Sequence, residues 1–320
     1  MAPRLSLLVV LVLAPLCSAA AGPDGLTDLS RRARNASEAA ERIEAIEALP
    51  DERPRRARVL AAAVEDESTT VRVRAIEPLV GIGEHDVAVE AFDKASKALL
   101  RERKVAEKEL DEHVGGERPG IDPGGSQASV DRDLEAIRVW GEVVADIGRR
   151  LAGLSSVEYA LAAGFIALPD DRGVAALVGL LDEAPPDYRS DALLEALLEL
   201  GSADALRSAS RHLSSAEKAR RDIEGALKKA RRAKPARAPK GADKGEWQAS
   251  EEERLAEAIA DHEEDLAELD AWATSLAERL TAFAKMHELA SPPKSVFPAR
   301  AWRGWGMEQA ELLPASLGRG

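Results

Sequence analysis

Five histidines, one cysteine and two neighbouring stretches of opposite charge are the residues of this 320-residue chain from which chemistry could be assembled. The histidines are His85, His113, His212, His262 and His287. Zinc hydrolysis on a single helix needs two of them four residues apart with a glutamate between. His262 is followed by Glu263-Glu264-Asp265 and no second histidine, so that pattern is missing. No nucleophile elbow, phosphate-cradling glycine loop or dinucleotide fingerprint occurs either. The many carboxylates fall on helix surfaces, where solvation is their default role. The expectation is a protein that is not an enzyme, with no cofactor and no metal.

Cys17 is the single cysteine. It lies within residues 1–21, which carry Arg4, the apolar run Leu5 to Leu16, and Ala19 and Ala21 as a small-x-small cleavage site. This is the pattern of a secretory signal peptide. Leu16 is bulky where a lipid-attachment site wants a small residue, and the apolar run falls short of the ~20 residues that span a bilayer. The mature chain then has no cysteine, which excludes thiol catalysis, disulfides and cysteine-based metal sites. An exported protein, periplasmic or extracellular and of bacterial type, with no stable membrane insertion after cleavage, is the expectation.

Residues 218–244 hold eleven Lys/Arg against three Asp/Glu, whereas residues 251–270 hold ten Asp/Glu and one Arg. Two readings follow. Lys228, Lys229, Arg231 and Arg232 could form a patch for an anionic polymer. Alternatively they neutralise the acidic stretch, facing Glu251, Glu252, Glu253 and Glu257 across an antiparallel helix pair. The net charge of −13 favours the second reading, because phosphate recognition needs local positive charge. No nucleic-acid partner is expected. Trp302 and Trp305 are the remaining candidates. They lie after Pro292-Pro293 in a Gly/Pro/Arg-rich stretch that reads as an irregular tail, either an exposed interaction peptide or a tail that docks back.

The elements that must position these residues are helices. Aromatics make up only 3% of the chain, so the core has to come from Leu, Ala, Ile and Val. Helical periodicity runs almost throughout, and no segment alternates apolar and polar residues over a strand length. Gly/Pro-rich breaks fall at 115–125 and 235–245. Leu255, Ile259, His262, Leu266, Leu269, Ala273, Leu276, Leu280, Phe283 and His287 alternate spacings of four and three, a heptad seam on which His262 would fix register. Ala88, Phe92, Ala95, Leu99, Glu102 and Ala106 repeat it earlier, with Leu134, Ile137, Val144 and Leu151 as the expected antiparallel partners. Ala48-Leu49-Pro50-Asp51 returns as Ala167-Leu168-Pro169-Asp170, and Gln127-Ala128-Ser129 as Gln248-Ala249-Ser250, an internal repeat of 119 to 121 residues.

Within each copy, a short helical motif precedes a glycine: Val71-Arg72, Ala75, Leu79 and Ile82-Gly83 in the first, Tyr188-Arg189, Ala192, Leu197 and Leu200-Gly201 in the second. The motif resembles HEAT repeats, specifically the HEAT-like type of bacterial repeat proteins. The organisation expected is all-α. After the signal 1–21 comes a first module 22–152, with a HEAT-like hairpin 36–83 and a coiled-coil arm 84–152 whose loop is 114–129. A second module 153–290 follows, with a hairpin 153–201 and an arm 202–290 whose loop is 234–249, then the tail 291–320. Because such units generally present surfaces for partners, the resemblance implies a scaffold that recruits another protein. A structural spacer of the envelope, and an enzyme of the lyase type that shares this repeat, are the alternatives.

Overall fold

The computed structural model describes residues 23–116, 119–120, 127–238, 243–314 and 317. The expected signal peptide and its cleavage site lie outside these residues. So do most of the tips of the two Gly/Pro loops. Among the described residues every regular element is helical, so the fold is all-α. None of these helices is long and apolar enough to cross a membrane.

Eleven helices are described: α1 (Pro23–Asn35), α2 (Ala39–Glu47), α3 (Arg53–Ala63), α4 (Thr69–Ile82), α5 (His85–Val114), α6 (Gln127–Ala167), α7 (Asp171–Glu183), α8 (Asp191–Leu200), α9 (Ala203–Ala230), α10 (Lys244–Met286) and α11 (Ala299–Ala310). A single 3-10 turn, Tyr188–Ser190, leads into α8. Local chemistry sets the boundaries. Asp170, Ser202 and Asp243 cap the N-termini of α7, α9 and α10 by accepting hydrogen bonds from backbone N–H groups that have no partner within the helix. Gly83 and Gly201, at φ +79° and +68°, end α4 and α8 in the left-handed region that side chains disfavour.

The helices pack in sequential pairs, α1 with α2, α3 with α4, α5 with α6, α7 with α8 and α9 with α10, and most also pack on the helix two further along. Contacts link α1 to α3, α3 to α5, α5 to α7, α7 to α9 and α9 to α11 along one layer, and α2 to α4, α4 to α6 and α6 to α8 along the other. The core is accordingly one continuous cluster from Ala33 to Ala310 rather than two separate ones. Four helices outgrow the layers. α5 and α6, of 30 and 41 residues, run antiparallel, with Arg150 reaching Glu109 at 2.6 Å and the Trp140 Nε1–H reaching the His113 carbonyl at 3.2 Å. α9 and α10, of 28 and 43 residues, do the same, with Arg220 on Asp270 at 2.9 Å. At 1.5 Å per residue, α6 and α10 are each roughly 60 Å long.

Close approach inside the stack depends on small residues. A Cβ at Gly164 of α6 would come within 2.8 Å of the Phe92 ring of α5, and Phe92 itself meets Phe165 edge-on at 5.7 Å. A Cβ at Gly306 of α11 would sit 2.2 Å from the Ser210 hydroxyl of α9.

Three expectations change. The boundary at 152/153 falls inside α6, a single unbroken helix, because no glycine or proline in Leu151 to Ser156 departs from helical geometry. The inner half of α6 is therefore a member of the stack, not a separate arm. Leu134 is 49% exposed. The face of α6 toward α5 runs instead through Ile137, Trp140, Val144, Ile147, Leu151 and Leu154, and Leu134 lies at its flank. The stretch after Pro292 is not irregular throughout, since it contains α11, which continues the layer of α7 and α9.

Candidate functional site

The basic residues singled out from the sequence stand at the C-terminal end of α9. Lys228, Lys229, Arg231 and Arg232 are all exposed, and all but Lys229 border an open groove of about 720 Å3 against α10. Arg231 pairs with Glu263 at 2.5 Å. The antiparallel register thus sets Lys228, Arg231 and Arg232 beside Glu263, Leu266 and Ala267, not opposite Glu251, Glu252, Glu253 and Glu257. The reason is length: α10 is fifteen residues longer than α9, the difference between 43 and 28, so its first turns extend past Ala230. Glu251 instead accepts the Ala236 backbone N–H at 3.2 Å and pairs with Arg254 at 3.0 Å, and these contacts hold its carboxyl below the usual carboxylate range, the Arg254 hydrogen bond foremost.

Trp302 and Trp305 are 1% and 8% exposed, so they are not presented as an exposed peptide. Their rings meet edge-on at 5.9 Å, and their indole N–H groups donate to the Ser295 and Ala290 carbonyls at 2.8 and 2.9 Å. They hold α11 in the layer beside α9.

The histidines are dispersed. His113 stacks on Trp140, His287 lies against Phe283, and His262 sits half-buried on the α10 seam. Among the described residues no cluster of three or more His, Cys, Asp or Glu could hold a metal ion. His212 differs from the others. It is 4% exposed, meets Trp272 edge-on at 5.6 Å, and hydrogen-bonds the Pro185 carbonyl. Burial pushes its pKa down to about 4, against the smaller upward pull of that hydrogen bond, so the ring is neutral at physiological pH.

The tyrosines form the surface feature that sequence reading missed. The chain has only two, Tyr159 and Tyr188, and they are 51% and 68% exposed. Both line one hollow of about 530 Å3, between the root of α5 and α6 and the connection from α7 to α8. Arg103 forms its inner wall. This arginine is 8% exposed and pairs at 2.5 Å with Glu158, which is 2% exposed. Burial pushes the Glu158 carboxyl up, while Arg103 pulls the other way. Arg189 is likewise engaged, by Asp187 at 2.5 Å. Glu107 and Asp111 on the same hollow form no ion pair among the described residues.

Tyr188 also borders a second hollow, of about 470 Å3, on the side of α9 and α10. Trp272, Leu269 and Ile223 line it together with Asp265 and Glu268. Glu268 forms no ion pair among the described residues, and Asp265 approaches only His262, at 3.8 Å. Tyr188 therefore stands on a ridge between two hollows. Hydrogen bonds hold the ridge in place: Asp187 accepts the Arg189 N–H at 2.8 Å, the Ser190 hydroxyl donates to the Asp187 carbonyl at 2.8 Å, and His212 bonds Pro185 from below. Composition held one signal for this site, since exposed tyrosine is conspicuous in a chain with two.

Comparison with known proteins returns no match: no family model, no curated protein and no solved structure resembles the chain significantly.

Proposed function

We propose that this chain is an exported, non-enzymatic scaffold of HEAT-like type that recruits another protein, and that the ridge carrying Tyr188 is where it does so. The alternating two-layer packing supports the HEAT-like reading, as does the recurrence of a long antiparallel pair, α5–α6 after α3–α4 and α9–α10 after α7–α8, in step with the 119-to-121-residue repeat of the sequence. In this reading the long pairs are coiled-coil arms and α11 begins a third copy of the repeat.

The observation that carries the proposal is the exposure of both tyrosines on one hollow, next to a hydrogen-bonded turn. Tyrosine offers large apolar area, a polar tip and little rotamer entropy to lose, which is why it dominates contact energy at many interfaces. The test is capture from the native envelope. Wild-type protein should retain a partner that the Tyr159→Ala/Tyr188→Ala variant loses, with circular dichroism unchanged. Equal retention by both proteins would overturn the assignment.

A spacer role draws on a different observation, the ~60 Å length of α6 and α10. A concentration series in light scattering separates the two. Self-assembly that survives loss of both tyrosines favours the spacer.

A further inference from the structure

Resting on the scaffold reading, we infer that the partner presents an extended, basic polypeptide segment whose Lys or Arg side chains enter the two hollows on either side of Tyr188.

The chemistry of the two hollows is alike although they are built from different helices. Each offers an aromatic ring: Tyr159 and Tyr188 in the first, Tyr188 and Trp272 in the second. Each offers apolar wall for an aliphatic stem, Leu110 and Leu151 in the first, Leu269 and Ile223 in the second. Each also ends in two carboxylates outside any strong pair, Glu107 with Asp111 and Asp265 with Glu268. The arginines present do not alter the sign. Arg103 is matched by Glu158 and Arg189 by Asp187, so each hollow is left with a net charge near −2. An aromatic face, an apolar wall and a free carboxylate are the three things a long cationic side chain uses: cation–π contact, burial of its methylene stem and a charge partner.

The same features exclude the opposite partner. A phosphate or an acidic peptide would meet four carboxylates, and the two arginines lining the first hollow are already paired with Glu158 and Asp187. The cations at the end of α9 lie elsewhere, in the groove with Arg231 and Glu263. A net charge of −13 steers a basic chain toward the molecule from a distance. Two hollows flanking one ridge suit a segment that crosses Tyr188, because alternate side chains of an extended chain, or neighbours a few residues apart, can occupy both sides.

The test uses the full chain and two synthetic probes in titration calorimetry: a twelve-residue peptide with Lys and Arg at alternate positions, and its counterpart with Glu at those positions. The basic peptide should bind and the acidic one should not. Glu107→Gln/Asp111→Asn and Asp265→Asn/Glu268→Gln should each weaken binding about tenfold, and Tyr188→Ala should weaken it at least as much, because it removes a wall from both hollows. Glu252→Gln/Glu253→Gln, an equal loss of charge on the far end of α10, should change affinity less than about twofold. If the control weakens binding as much as the hollow variants do, the attraction is diffuse and the inference fails. If the basic peptide does not bind while loss of both tyrosines still abolishes capture of the native partner, the cationic chemistry is wrong and the scaffold reading stands. If the peptide binds with the expected dependence but capture is indifferent to the tyrosines, the scaffold reading fails at this ridge and the cation-binding hollows stand.

Discussion

The roots of the two long helix pairs solve one packing problem with opposite chemistry. Where α5 and α6 join the stack, the interior holds charge: Arg103 pairs with Glu158 at 2.5 Å, and Arg72 meets Glu102 through two hydrogen bonds of 2.8 Å. Where α9 and α10 join it, the interior holds neutral rings, with His212 edge-on to Trp272. Burial acts on both in the same way, disfavouring the ionised form. It therefore raises the Glu158 carboxyl and lowers the His212 imidazole. Two regions of like geometry are thereby given opposite responses to acid, and the strength of each can be measured separately.

The largest effect is expected at the charged root. Arg103→Met leaves Glu158 at 2% exposure without its cation, which should cost about 3–5 kcal/mol in chemical denaturation. Arg103→Met/Glu158→Leu removes both charges and should recover most of that loss. A single variant as mild as the double one would mean that water or a rearranged neighbour already solvates Glu158. Nothing comparable is expected when the neutral root is altered at pH 7, since no charge is stranded there.

Acid tests the second root. His212 has a pKa of about 4 in the folded chain against 6.5 as its ordinary value, so between those values the unfolded chain binds the proton first. Its contribution to stability is complete above about pH 6.5 and is lost as pH falls toward 4, by roughly 3 kcal/mol in all. Glu158 works against it. Its folded pKa lies above the ordinary 4.5, so it favours the folded chain at low pH and loses that advantage as pH rises through its folded value. Comparing pH profiles of the wild type and His212→Gln isolates the first term. Profiles that stay parallel from pH 7 to 4 would show that His212 is protonated within the fold.

A smaller effect is expected where the stack ends. Gly306→Ala puts a methyl 2.2 Å from the Ser210 hydroxyl, and overpacking of this kind costs typically 1–3 kcal/mol. Adding Ser210→Gly should restore much of the lost stability, and the fluorescence of Trp302 and Trp305 should shift to the red only in the single variant. An unshifted spectrum with unchanged melting would mean that α11 is held by its tryptophans alone.

The parts of this comparison that were legible in the sequence are those that depend on neighbours along one helix. All ten residues of the seam from Leu255 to His287 prove buried or half-buried, because a spacing of three and four places them on one face whatever lies opposite. What lies opposite is a long-range fact that spacing along one helix does not encode. Trp302 and Trp305 read as either an exposed peptide or a tail that docks back, and spacing could not choose between them because their partners on α9 come nearly a hundred residues earlier. Tyr188 was matched with Val71 as the start of a repeat motif. Val71 is fully buried and Tyr188 is 68% exposed, because a 3-10 turn delays α8 until Asp191 and turns the tyrosine outward. The site followed from that local departure from the repeat, which periodicity alone could not supply.

Register of the second pair gives the smallest and sharpest prediction. The sequence placed the α9 cations opposite Glu251 to Glu257, whereas the helices bring Arg231 to Glu263. Glu257 and Glu263 both lie on exposed α10 surface, so composition cannot tell them apart, but their neighbours differ. Glu263→Lys sets a new cation against Arg231, with Lys228 and Arg232 on the same groove. Glu257→Lys makes the same change of charge where α9 offers no ion pair. Exposed pairs are worth under about 1 kcal/mol, so neither variant should unfold the protein. At low ionic strength, however, Glu263→Lys should melt measurably below Glu257→Lys. The gap should close as salt shortens the screening length to about 8 Å at 0.15 M and less beyond. Equal melting of the two at low salt would return the register to the one that the charge pattern first suggested.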